Sequence, residues 1–202
     1  MNKVLATLLL GLGLTGAAHA AGDATAGQAK AAVCGACHGV DGNSAAPNFP
    51  KLAGQGENYL IKQMKDVKEG RRTIVEMTGL LDNLNEQDFA DIAAYFASQA
   101  GSIGAADPAL VERGEAIFRG GNLETGLPAC TGCHAPNGVG NAPAGFPKLN
   151  GQHAQYTAKQ LTDFREGDRN NDAGDAGIMR TIAAKLSNKD IAAVSSYIQG
   201  LH

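Results

Sequence analysis

The chain has 202 residues, a formal net charge of −3 and 27 glycines, with only 5% aromatic residues and no tryptophan. That length suits two domains better than one, and its acidic and basic residues are interspersed, which excludes nucleic acid as a partner. So few aromatics give little bulk for two hydrophobic cores, and a group other than side chains is expected to fill the middle of each.

Lys3, the apolar run Val4 to Leu14 and the small-residue sequence Ala18-His19-Ala20 have the pattern of a secretory signal cleaved after Ala20. The run is shorter than the roughly 20 apolar residues of a spanning helix, and no later segment is apolar enough to cross a bilayer. A periplasmic location and a soluble mature chain are therefore expected, with docking against a membrane complex left open.

From Gly27 to Cys37 a helix is expected, ending in Cys34-Gly35-Ala36-Cys37-His38. The same five-residue pattern returns as Cys130-Thr131-Gly132-Cys133-His134, and the two copies use every cysteine. Cys-x-x-Cys-His is the pattern of covalent haem attachment. Two thiols one helical turn apart add to the vinyl groups on one porphyrin edge, and the next residue sets its imidazole under the iron. Two disulfides would leave the histidines unexplained. In a zinc ribbon the two pairs stand roughly 15–20 residues apart, whereas these begin 96 apart. A thioredoxin-like dithiol needs alternating strands and helices, which the chain lacks.

Beyond the first motif, Gly39 to Gly54 is rich in Gly, Pro and Asn and suits a wrap around a flat cofactor. Residues 57–69 read as an amphipathic helix. Its basic residues Lys62, Lys65 and Lys68, with Arg71 and Arg72 after it, read as a solvated face. Asn85 with Asp88 forms a capping box before Phe89, Ile92 and Phe96 at helical spacing. Gly101 to Pro108 is a short linker, so packed halves are expected. The domain boundaries follow as 1–20 signal, 21–103 first half and 104–202 second half.

The second half repeats the first. Phe49-Pro50-Lys51-Leu52-Ala53-Gly54-Gln55 returns as Phe146-Pro147-Lys148-Leu149-Asn150-Gly151-Gln152 at an offset of 97, as do Tyr59 and Gln63 in Tyr156 and Gln160. Leu84, Asp88 and Tyr95 return as Leu186, Asp190 and Tyr197 at an offset of 102. Helices are expected from Pro108, over 154–166 and after Ser187, with an insertion at Gly120 to Pro128.

This register selects the second axial ligand. Met77 and Met179 each stand eleven residues before the equivalent aspartate, Asp88 or Asp190. Met64 lies on the apolar stripe of its helix opposite Leu161 and reads as core. Histidine is the rival ligand, but His153 matches Gly56 and has no mate; it reads as a surface residue near a helix start.

Helices around a haem, an early Cys-x-x-Cys-His and a later ligand methionine resemble class I cytochrome c. The tandem arrangement, the repeated Phe-Pro-Lys-Leu-x-Gly-Gln and the stretches around Met77 and Met179 resemble the dihaem cytochrome c4 family. The resemblance implies an all-α chain of two tandem class I cytochrome c domains. It also implies two haem c groups on Cys34, Cys37, Cys130 and Cys133, with axial pairs His38–Met77 and His134–Met179 and the haems facing across a pseudo-twofold interface. The function expected is electron carriage from a quinol-oxidising bc-type complex to a terminal oxidase. A cytochrome subunit of a dehydrogenase complex is the alternative, and a dihaem peroxidase has too few spare histidines.

Overall fold

Asp23 starts the first helix by accepting hydrogen bonds from the amides of Thr25 and Ala26. Helix α1, Ala24–Lys30, therefore begins three residues before the expected start at Gly27. It tightens through a 3-10 turn, Ala31–Val33, into α2, Gly35–His38. The computed structural model describes residues 21–172 and 177–202, so the expected signal segment lies outside the described residues. The first half continues with α3, Glu57–Lys68, a 3-10 turn, Val75–Met77, and α4, Glu86–Ala97.

The second half repeats the order with α5, Pro108–Gly120, α6, Thr131–His134, α7, Ala154–Glu166, α8, Ile178–Ala183, and α9, Asn188–Gly200. Both expected capping boxes form: Asn85 with Asp88 opens α4 and Ser187 with Asp190 opens α9. The expected insertion is a loop pinched by an antiparallel bridge between Asn122 and Leu127. Among the described residues there is no strand beyond such isolated bridges, so the chain is all-α. None of the described helices is long and apolar enough to cross a membrane.

In each half the first helix packs on the last, α1 on α4 and α5 on α9. A glycine stands at each crossing because there is no room for a Cβ. One built on Gly27 would overlap the Asp91 carbonyl and come within 2.9 Å of the Tyr95 Cβ, and one on Gly114 would overlap the Ala193 carbonyl and come within 2.6 Å of the Tyr197 Cβ. α3 and α7 then lie against α4 and α9. Met64 packs against the first core and Leu161 against the second, as their apolar stripes predict.

The halves meet through polar groups. Arg72 donates to Gln63 at 2.8 Å, to Gln160 at 2.7 Å and to the Tyr156 hydroxyl at 3.0 Å. Arg169 answers with bonds to Gln160 at 2.6 Å, and to Gln63 and the Tyr59 hydroxyl at 3.2 Å. This corrects the solvated reading of Arg72, which is half-buried between the halves. His153 is corrected too. Its Nε2 lies 3.0 Å from the hydroxyl and 2.9 Å from the carbonyl of Ser44, a buried residue of the first half. The linker is bound on both sides: the Ser102 amide donates to Asn43 at 2.7 Å and that of Gly104 to the Gln199 carbonyl at 3.0 Å.

Candidate haem sites

Each attachment motif occupies one tight turn. The amides of Cys37 and His38 both donate to the Cys34 carbonyl, at 3.2 and 2.9 Å, and those of Cys133 and His134 to the Cys130 carbonyl, at 3.3 and 3.0 Å. All four cysteines are free thiols, so neither motif is a disulfide. Burial pushes the Cys34 thiol up and the Cys130 thiol up to about 11, which makes both poor thiolates. Among the described residues no three of His, Cys, Asp and Glu gather into a metal-holding group, so the two pairs do not converge on one zinc.

The histidines are held alike. Nδ1 of His38 lies 2.9 Å from the Pro50 carbonyl, and Nδ1 of His134 lies 2.9 Å from that of Pro147. Such a bond requires Nδ1 to carry the proton, which leaves Nε2 with a free lone pair. The loop that carries each carbonyl is fixed by one acceptor. The Gly42 carbonyl takes the amides of Leu52 and Ala53 at 2.7 and 3.1 Å, and the Gly138 carbonyl takes those of Leu149 and Asn150 at 2.7 and 3.1 Å. Phe49 and Phe146 stand edge-on to the two imidazoles, with centroids 6.4 Å apart in each case. Burial holds both imidazoles below the ordinary histidine pKa, against the opposing pull of the proline carbonyls. A neutral imidazole is the form that binds a metal.

The methionines stand on later segments. Met77 ends the 3-10 turn that follows α3, whereas Met179 sits in the first turn of α8, and both are half-buried. The donor set fits an iron porphyrin: two unoxidised thiols per turn, an imidazole tethered through Nδ1 only, and a soft sulfur from elsewhere in the same half.

Sequence reasoning missed the roles of Gln55, Gln152, Arg72 and Arg169. A signal was there, since Gln55 and Gln152 recur at the same offset as the haem-loop residues although they are polar and have no place in a helical stripe. A polar residue repeated in both halves marks a shared contact, and here it is the interface.

The cytochrome c family model matches residues 24–100 and again 111–202. A cytochrome c4 of Pseudomonas aeruginosa is 76% identical over 202 residues, the whole of both chains. The crystal structure of reduced recombinant cytochrome c4 from Pseudomonas stutzeri is 71% identical, covers 90% of this chain and 100% of that one, and superposes with a TM-score of 0.88. A thiosulfate dehydrogenase electron acceptor of Thiomonas intermedia is 34% identical over 98% of this chain and 90% of that protein. With both halves matched and near-complete relatives above two-thirds identity, the chain belongs to the cytochrome c family, in its cytochrome c4 branch, and is an electron carrier with two covalently bound haem c groups.

Proposed function

We propose that the carrier works in the periplasm, taking electrons from a quinol-oxidising bc-type complex and passing them to a terminal oxidase. One haem belongs to residues 21–103 and the other to 104–202. Cys34 and Cys37, with Cys130 and Cys133, form the thioether links; His38 with Met77 and His134 with Met179 are the axial pairs. The observation that carries this reading is the identical tether of the two imidazoles, Nδ1 to a proline carbonyl at 2.9 Å in each half.

When bound, each iron porphyrin supplies a one-electron couple. The chain's part is to leave that couple little to reorganise. Proline carbonyls keep the imidazoles in one tautomer and orientation. Thioether sulfur from Met77 and Met179 favours the reduced state and raises the potential. With an imidazole nitrogen and a thioether sulfur of the chain both holding the iron, no place would be open to a substrate, which suits carriage rather than catalysis.

An optical and magnetic spectrum of the oxidised protein with haem quantitation tests the site. Two low-spin haems per chain and a sulfur-to-iron charge-transfer band are expected, and a band lost by half in Met77→Ala or Met179→Ala assigns each ligand. A colourless exported chain, or a high-spin spectrum, overturns the reading. A second reading, acceptor for a dehydrogenase, is favoured by the similarity to a thiosulfate dehydrogenase electron acceptor. Stopped-flow reduction by a purified bc-type complex and by a thiosulfate dehydrogenase separates the two, since the faster donor identifies the partner class.

A further inference from the structure

Two glutamines cross between the halves in a reciprocal pattern. The Lys148 amide donates to Gln55 Oε1 at 2.8 Å, and Gln55 Nε2 donates back to the Lys148 carbonyl at 3.0 Å. The Lys51 amide donates to Gln152 Oε1 at 3.0 Å, and Gln152 Nε2 donates back to the Lys51 carbonyl at 2.9 Å. Each clasp fixes the residue directly after a tethering proline.

The amide of Lys148 and the carbonyl of Pro147 belong to one peptide unit. So the chain of bonds runs from Gln55 Oε1, through that peptide, to His134 Nδ1 at 2.9 Å. The mirror chain runs from Gln152 Oε1, through the Pro50–Lys51 peptide, to His38 Nδ1 at 2.9 Å. A peptide whose N–H is engaged carries more negative charge on its carbonyl oxygen, so each bond in such a series strengthens the next. Gln55 is 7% exposed, which leaves little room for water to replace its oxygen. An imidazole with a stronger acceptor at Nδ1 is a more basic ligand through Nε2.

We propose that Gln55 and Gln152 are positioning residues that set the donor strength of the axial histidine in the opposite half. Gln55 acts on His134, and Gln152 acts on His38. The inference rests on the reading of His38 and His134 as iron ligands. Its consequence is that the two redox centres are coupled through exchanged side chains, so loosening the interface changes both potentials by a defined route.

The test is a haem-resolved redox titration of the holoprotein, with haem methyl signals followed by NMR. In Gln55→Met the acceptor is lost with little change in side-chain length, and the potential of the second haem rises while that of the first holds. Gln152→Met gives the reverse. Gln55→Glu keeps an oxygen at the same place and returns the second haem to its original potential or below it. Exchange of the His134 Nδ1 proton speeds up in Gln55→Met, while that of His38 does not. Equal shifts at both haems, shifts confined to the mutated half, or unchanged proton exchange overturn the proposal. A native spectrum lacking histidine–methionine coordination would instead remove the reading of the site itself, so the two failures are distinguishable.

Discussion

The two halves agree most closely around the attachment motifs and least where their helices pack. The histidine tethers have the same length, and the loop acceptors Gly42 and Gly138 hold their two amides at the same 2.7 and 3.1 Å. The cores differ. The crossing glycines place Ala31 opposite Phe118, which is fully buried and packs at a tilt against Tyr197 with ring centroids 5.6 Å apart. The second core also draws in Ile117, Leu127 and Leu201, and His134 is buried where His38 is only half so. Ligand chemistry tolerates little change in angle or distance, whereas a core tolerates much repacking at constant volume. The copies have kept the first and let the second drift.

The largest expected effect breaks the helix crossing they share. Alanine gains about 1 kcal/mol over glycine in a helix, but the overlap of its Cβ with the facing carbonyl outweighs that. Gly27→Ala is expected to cost about 3 kcal/mol and Gly114→Ala about 2 kcal/mol, the first being the closer approach. Denaturant unfolding of the holoprotein, followed by circular dichroism, measures both.

Next in size is the contact between the halves. Arg72→Met leaves the Tyr156 hydroxyl without its charged donor and Gln63 and Gln160 with that of Arg169 alone, a loss of about 2 kcal/mol. Arg169→Met costs more, because that guanidinium also stacks over Phe164 at 4.4 Å. Calorimetry is expected to resolve one transition in the native chain and two in either variant, with the smaller first core melting earlier. A single transition in both variants would mean that the linker and the glutamines suffice to couple the halves.

These arginines also show what a sequence conceals. The attachment motifs, the capping boxes and the register of Met64 with Leu161 are local or periodic, so the order of residues along the chain displays them directly. Arg72 and His153 read as exposed because nothing within a few residues of either tells that the other half of the chain will cover it. The start of α1 reads late for a different reason: it is fixed by one capping side chain, Asp23, four residues ahead of the expected Gly27. Met77 lies in a 3-10 turn and Met179 in a helix, a difference that no periodicity in the sequence encodes.

Acid is expected to separate the halves next. Asp91 is held down to about 2 by the Asp23 amide, and further by Lys30 and Gln87, with those donors at 2.9, 2.5 and 2.8 Å. Its folded value lies below that of an unfolded aspartate near 3.9. The stabilisation is therefore complete at neutral pH and is lost as pH falls from about 4 through 2. The equivalent residue in the second half is Ala193, so that crossing keeps only the Asp190–Arg113 pair, the counterpart of Asp88 with Lys30, and lacks the second carboxylate. An acid titration followed by probes on each half should show the first opening at the higher pH. Asp91→Asn, less stable at pH 7, should lose that part of the pH dependence.

The smallest effect, at Ala135, concerns the residue after the histidine of each attachment motif. In the first half it is Gly39, with φ 78° and ψ 146°; in the second it is Ala135, with φ 65° and ψ 156°. That region is nearly closed to any residue with a Cβ, at a cost of about 1–3 kcal/mol. Ala135→Gly removes the strain but gives the unfolded chain more freedom, so a net gain of about 1 kcal/mol is expected. The converse, Gly39→Ala, imposes the strain and brings a Cβ within 2.8 Å of the Asn43 carbonyl, and should cost about 2 kcal/mol. Both chains of bonds pass through the histidine that precedes this residue, so its backbone must turn the same way whatever side chain it bears. If Ala135→Gly gains nothing in thermal unfolding of the second half, the alanine carries no net strain there.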